Sequence, residues 1–480
     1  MTLRPGPDRT PNPFIGNRPR RQIAKRPSRL VWGVAGLVAA LLAGGAYAIA
    51  HPERAPSVVG AVVEDLTGAN PHPVKLLRPP TAPLSALALL GQQIFNDPSL
   101  SASGAQSCAS CHSPQHDYGP PNDLPVQRGG AHMTLVGFRP PPSLAYLYRQ
   151  APFSIGPDAG ETDNPVPLNQ TASQTRGAAI AAKTAGGASA APSIVPQGGL
   201  FWDGRNDTLM AQAKGPLMNP VEMANASEAD VARKLAQAKY RDQFKPLFGD
   251  TILSKPAMLV AEAMSAVSRY QIEDRSFHAF DSKYDRWLEG KARLDRAELR
   301  GMRLFNDPAK ANCGGCHLSQ PTRDRLPPLF TDTQYEALGV PRNPAIPANK
   351  DPAFFDLGLC GPFRTDLAKQ TQYCGMFLTP TLRNVARRKT YFHNGMYHSL
   401  DQVMDFYNLR NTSPGKVYPH DAAGKVQTYN DLPAAYRVNV DVKDAPFDRK
   451  PGDRPALSDA EIKDIIAFIR TLNDGYRPGA

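Results

Sequence analysis

Only six of the 480 residues are cysteine, only three are tryptophan, and aromatic residues make up 8% of the chain. So few cysteines exclude a disulfide-dense scaffold, which a chain of this length does not need. Acidic residues are nearly absent at one end, where Asp8 stands alone against eight lysines and arginines before residue 30. The net charge of +11 therefore resides mostly in that segment, and the pI near 9.3 does not make nucleic acid an expected partner. No alternation of strand and helix patterns is present, which excludes a doubly wound parallel sheet. Long hydrophobic runs are missing too, with one exception. "LVWGVAGLVAALLAGGAYAIA", residues 30–50, carries no charge and is long enough to span a bilayer as a helix.

The basic residues before that run keep the N-terminus in the cytoplasm, so the rest of the chain is expected outside, in the periplasm of a Gram-negative bacterium. The alternative is a signal peptide cleaved near Ala48-Ile49-Ala50, which would leave a soluble periplasmic protein. The expected order is a basic cytoplasmic segment (1–29), a single-pass inner-membrane anchor (30–50), a Pro-rich tether (51–83) and two domains, 84–290 and 291–480. Residues 156–199 are dominated by Gly, Ala, Ser, Thr, Pro and Asn and read as a flexible insertion in the first domain. Helical spacing runs through 226–248 and 256–275, the latter with Met258, Leu259, Ala263, Met264 and Val267 along one side. In "LSDAEIKDIIAFIRTLNDG" (457–475), Ser458 and Glu461 form a capping-box pattern and Gly475 is the expected stop. The fold class is mainly α.

Four of the six cysteines fall in two Cys-x-x-Cys-His motifs inside an internal repeat. "LGQQIFNDPSLSASGAQSCASCH" (90–112) matches "RGMRLFNDPAKANCGGCH" (300–317) in a glycine, a phenylalanine four residues on, Asn-Asp-Pro and then the motif. Duplication of one small helical unit accounts for this. Cys-x-x-Cys-His is the attachment signature of c-type haem. Cys108 and Cys111 would hold one porphyrin with His112 as iron ligand, and Cys313, Cys316 and His317 a second. A four-cysteine zinc site gives no reason for a histidine after both pairs, and thioredoxin-like redox pairs would need a βαβ context.

With "FWDGRNDTLMAQAKGPLMNPVEM" (201–223) and "TPTLRNVARRKTYFHNGMYHSLDQVMDFY" (379–407), the chain resembles the bacterial di-haem cytochrome c peroxidases. Their relatives include the di-haem enzyme that matures methylamine dehydrogenase. The resemblance covers about residues 84–475 and implies two cytochrome c-like domains, the N-terminal haem receiving peroxide and the C-terminal one electrons. It places Glu222 as the carboxylate that moves a proton between the peroxide oxygens, Gln212 in the same pocket, and Trp202 between the haems. It makes His132 a removable ligand of the first iron. Where ordinary family members have a methionine ligand to the second iron, fourteen residues after His393, this chain has Tyr407. A phenolate favours ferric and higher-valent iron, whereas a thioether raises the potential; Met404 and Met396 are the alternative ligands. Calcium between the domains is left open, because Pro140 follows Arg139 where the family has an asparagine. Cys360 and Cys374, in an oxidising compartment, are expected as a structural disulfide.

The expectation is a di-haem oxidoreductase that reduces hydrogen peroxide with electrons from a small cytochrome c, a cupredoxin or the quinol chain. One alternative keeps the chemistry but directs high-valent iron at a partner protein. The other is a di-haem electron carrier without catalysis. A homodimer is left open.

Overall fold

The computed structural model describes residues 57–157 and 194–478. The anchor expected at 30–50 and most of the insertion expected at 156–199 lie outside the described residues. Among the described residues, no helix is long and apolar enough to cross a membrane. Twelve α-helices occur in them: α1 (Ser57–Thr67), α2 (Ala86–Phe95), α3 (Cys108–Cys111), α4 (Leu209–Met218), α5 (Glu228–Leu235), α6 (Phe244–Phe248), α7 (Pro256–Glu273), α8 (Lys283–Leu288), α9 (Arg296–Phe305), α10 (Cys313–Cys316), α11 (Leu400–Leu409) and α12 (Asp459–Arg470). Strands are confined to three two-stranded antiparallel pairs, β1–β2 (Arg128–Gly129, Leu135–Val136), β3–β4 (Ser154–Pro157, Ile194–Gln197) and β5–β6 (Tyr335–Glu336, Phe377–Leu378). Thus the two ends of the expected insertion pair with each other, Pro157 opposite Ile194.

The repeat has a packing reason. Helix α2 crosses α7 at Gly91, where a Cβ would lie 1.9 Å from the carbonyl oxygen of Ala266. Helix α9 crosses α12 at Gly301 in the same way, a Cβ there lying 1.9 Å from the oxygen of Asp464. Only glycine lets the backbones approach so closely. The phenylalanine one turn on is fully buried in both copies, Phe95 against Tyr270 and Phe277, Phe305 against Phe330 and Phe468. Around these crossings lie two separate cores. The first gathers Leu90, Val231, Leu235, Phe244, Leu259 and Val260; the second gathers Leu76, Tyr284, Trp287, Leu299, Ile465 and Phe468.

Helix α12 begins with the expected capping box, Ser458 and Glu461 bonding each other's backbone. It ends at Arg470 with Thr471 as cap, before Gly475, whose N–H instead donates to Asp281. On α7, Met258 turns outward, while Leu259, Val260, Ala263, Met264 and Val267 are buried. The stripe is shifted by one residue because Val260, not Met258, continues the i, i+3, i+4 row. Cys360 and Cys374 form the expected disulfide.

Two boundaries differ from expectation. From residue 57 on, the expected tether is instead a strap packed along the C-terminal lobe. Its helix α1 pairs Glu64 with Arg303, Asn70 donates to the carbonyl of Leu288, and Trp287 Nε1 donates to the carbonyl of Gly68 at 3.0 Å. Val63 and Leu76 of the strap are also buried, Leu76 within the second core. The C-terminal core likewise starts before residue 291, since α8 contributes Tyr284, Trp287 and Leu288 to it.

Helix α8 also carries Asp285, which with Arg383 forms a fully buried two-bond ion pair at 2.8 and 2.9 Å. Burial alone would raise the Asp285 carboxyl, but Arg383 and the hydrogen bonds from Ser282 together outweigh it and the net shift is downward. Arg383→Leu would strand that carboxylate, so a loss of about 3–5 kcal/mol is expected in urea unfolding of the holoprotein. In the wild type this contribution should be complete at neutral pH and fade as pH falls through the lowered Asp285 value. An Arg383→Leu protein as stable as the wild type would show that the pair does not hold the lobe together.

Candidate functional site: two cysteine-histidine cavities

Each core opens onto a cavity carrying one Cys-x-x-Cys-His motif. In the N-terminal lobe, α3 places Cys108, Cys111 and His112 on the wall of a cavity with about 1130 Å³ of atom-free space. In the C-terminal lobe, α10 places Cys313, Cys316 and His317 on one of about 1610 Å³. None of these four cysteines is in a disulfide. Burial pushes the thiols up, to about 12 at Cys108 and about 11 at Cys111. Both cysteines of a turn and the histidine after it face one space because the short helix wraps them around a single turn.

The histidines are set for iron. His112 Nδ1 bonds the carbonyl oxygen of Tyr118 at 3.1 Å, and His317 Nδ1 that of Phe330 at 2.9 Å. A carbonyl can only accept, so Nδ1 carries the proton and Nε2 keeps its lone pair for a metal. Burial lowers both imidazoles to about 4, against the smaller effect of those carbonyls, so both are neutral. Among the described residues no cluster of three or more His, Cys, Asp or Glu side chains could hold a metal ion unaided. Paired thiols, a neutral imidazole and a largely apolar cavity fit a covalently held haem.

Glu222 borders the N-terminal cavity, together with Gln212 and Trp202. It sits on the turn Asn219-Pro220-Val221-Glu222, closed by a bond from Glu222 N–H to the carbonyl of Asn219 at 3.0 Å. Asn at the first position and Pro at the second suit that turn. Asn219 Nδ2 also donates to Glu222 Oε1 at 2.7 Å. Burial raises the Glu222 carboxyl above the ordinary glutamate value, against the opposing pull of Arg205 and the Asn219 bond. Trp202 lines both cavities, its Nε1 donating to the carbonyl of Pro140 at 3.0 Å and its carbonyl accepting from Leu378 of the other lobe.

In the C-terminal cavity Tyr407 and Met404 project from one face of α11, whereas Met396 is not on the wall. Burial raises the Tyr407 phenol, and the thiols of Cys313 and Cys316 across the cavity add to this. His132 is not brought to either cavity. It is exposed, on the turn between β1 and β2, where the chain doubles back over the backbone of Glu222 and carries it outward.

Sequence reasoning passed over several residues. Arg205 lines the N-terminal cavity within the "FWDGR" motif, stacked on Phe201 at 3.6 Å. Arg139, next to Pro140, pairs with Asp203 at 2.7 Å and, through two bonds, with Asp356 of the other lobe. Both lie in motifs already noticed, but nothing in their spacing marks them as more than surface cations.

Two such cavities, each with an attachment motif and a carbonyl-oriented histidine, define a c-type cytochrome with two attachment sites. The chain belongs to the di-haem cytochrome c peroxidase family, whose model matches residues 85–293. It is 30% identical over 411 residues to methylamine utilization protein MauG of Paracoccus denitrificans (strain Pd 1222), covering 82% of this chain and 90% of that one. Cytochrome c551 peroxidase of Nitrosomonas europaea is 26% identical over 340 residues, covering 70% and 75% respectively. The crystal structure of the diheme peroxidase BthA from Burkholderia thailandensis E264 has a TM-score of 0.69 at 35% identity, covering 84% of this chain and 89% of that one. The family implies haem c and an oxidoreductase; it includes both peroxidases and MauG-type proteins.

Replacing Cys108 and Cys111 with alanine should halve the covalent haem per chain, measured by haem absorbance of the denatured protein. Replacing Cys313 and Cys316 should remove the other half. Full covalent loading after either change would refute the assignment of these turns.

Proposed function

We propose that this protein is a di-haem cytochrome c peroxidase that reduces hydrogen peroxide to water in the N-terminal cavity. The observation that carries the reading is Glu222, a carboxylate of raised pKa held by Asn219 on the same wall as Cys108, Cys111 and His112. Haem, when bound, supplies the redox iron at which the O–O bond is cleaved. Glu222 would take the proton from one peroxide oxygen and return it to the oxygen that leaves as water. Gln212 borders the same space, and Trp202, common to both cavities, is the protein group through which electrons pass from the C-terminal site. A small cytochrome c, a cupredoxin or the quinol chain would deliver them, with residues 30–50 anchoring the catalytic part on the periplasmic face of the inner membrane.

Glu222→Gln keeps the shape and loses the proton, so peroxide turnover should fall by roughly 10²–10⁴ with haem content unchanged. A base must be ionised to act, so wild-type activity should be lost on the acid side at a pH above the usual glutamate range. Unchanged turnover in Glu222→Gln would overturn the role, and absence of any turnover in the wild type would favour the electron-carrier alternative.

A second reading, oxidation of a partner protein, is favoured by Tyr407 on the C-terminal cavity wall and by the likeness to MauG. If the Tyr407 oxygen is the second ligand there, Tyr407→Met should raise the reduction potential of that site, since a thioether favours ferrous iron. Potentiometric titration reads this directly. A near-infrared sulfur-to-iron band in the oxidised wild type, lost in Met404→Ala, would assign the ligand to Met404 instead.

A further inference from the structure

Among the described residues that line the N-terminal cavity, Phe363 alone comes from the C-terminal lobe. It is 41% exposed, and on that wall only Arg128 and Phe363 are exposed at all. A side chain that borders both the cavity and solvent stands at the opening between them.

Several contacts fix the ring there. Cys360 and Cys374 close the loop that bears it. Its neighbour Arg364 is buried and donates from Nη1 to the carbonyl oxygens of Asp203 and Gly204, at 3.1 and 3.0 Å. The ring itself stacks on Phe138, with centroids 4.7 Å apart and planes 19° from parallel, an arrangement that aromatic pairs favour. Phe138 is in turn met edge-on by Phe354 at 5.2 Å. The Arg205 guanidinium lies 4.7 Å from the Phe363 centroid and 3.6 Å from that of Phe201, and such cation–ring contacts add to the hold. Phe138, Phe201 and Arg205 all line the same cavity. The opening is thus framed by three rings and a cation, and one ring is supplied by the opposite lobe.

We infer that Phe363 determines the specificity of the N-terminal cavity by setting the size of the peroxide it admits. Hydrogen peroxide passes, and hydroperoxides with a branched or aryl group are turned away. This deepens the peroxide reading and rests on it for the substrate class. No bond forms or breaks at Phe363; its action is steric. The ring cannot swing aside without giving up its stack on Phe138 and its contact with Arg205. A bulky group must displace it, whereas a molecule of two oxygens need not, and discrimination comes from the clash.

The test uses the full-length holoprotein carrying Phe363→Ala, with Phe363→Val in its place should the alanine protein not load haem. The first readout is the ratio of kcat/KM for cumene hydroperoxide to that for hydrogen peroxide. It should rise at least about tenfold, the scale on which shape alone discriminates in an apolar pocket. The second readout needs no turnover, because isocyanides of graded size bind reduced haem. Association rates of ethyl and tert-butyl isocyanide are compared in the phase that is lost when Cys108 and Cys111 are replaced with alanine. The two rates should differ strongly in the wild type and converge in Phe363→Ala, and Phe363→Trp should widen the difference. A ring that only packs lobe against lobe would change small and bulky ligands alike. An unchanged peroxide ratio, or an isocyanide difference that persists in Phe363→Ala, would therefore overturn the inference. So would a wild type that takes up both isocyanides at one rate. A wild type that turns over no peroxide, yet shows the isocyanide difference and its loss in Phe363→Ala, would instead overturn the function on which the inference rests.

Discussion

The structure depends on a contact that leaves no room for a side chain. At Gly91 and again at Gly301, the backbone of one helix lies against a carbonyl of another so closely that even a methyl group would overlap it. Such a crossing sets the angle between the two helices of each lobe and buries the phenylalanine one turn further on. It also decides where the following Asn-Asp-Pro turn points, and therefore where each cysteine pair meets its cavity. The same residues recur because the same geometric problem is solved twice: a small helical lobe must hold a large flat group against its core.

Between the lobes the constraint is electrostatic. Arg139 is buried with carboxylates from both sides, Asp203 and Asp356, and is held strongly protonated despite the opposing effect of burial. A buried charge of this kind is tolerated only when its hydrogen bonds are met. Arg364 adds bonds from the C-terminal lobe to the carbonyls of Asp203 and Gly204. These bonds tie down the segment that carries Trp202, so the indole shared by the two cavities is positioned from both sides.

How much of this could be read from the chain depends on whether a residue's role is local. The attachment motifs were legible because covalent chemistry demands adjacent residues at fixed spacing. The disulfide followed from having only two other cysteines, and the capping box of α12 from a four-residue pattern. Glu222 was found through the motif around it, not through its own neighbours, since its bond to Asn219 looks like any turn. His132 was placed by resemblance, and the hairpin turn that carries it outward has no marker beyond two glycines. The strap reads as a tether because prolines interrupt any regular spacing of its apolar residues, Val63 and Leu76 among them, which the fold buries.

That strap has a mechanical side. The chain enters along the C-terminal lobe, at α1 and Gly68, before running on to build the N-terminal lobe. Whatever lies before residue 57 is therefore fastened to the second lobe in the sequence rather than the first. A load applied at the N-terminus would be carried through Arg303, Leu294 and Trp287, bypassing the lobe that carries Glu222. The strap also makes the C-terminal lobe discontinuous, its first stretch of chain preceding the N-terminal lobe in sequence and α12 following it. Its assembly must then wait for α12, while the N-terminal lobe, whose core residues all precede α12, can close earlier.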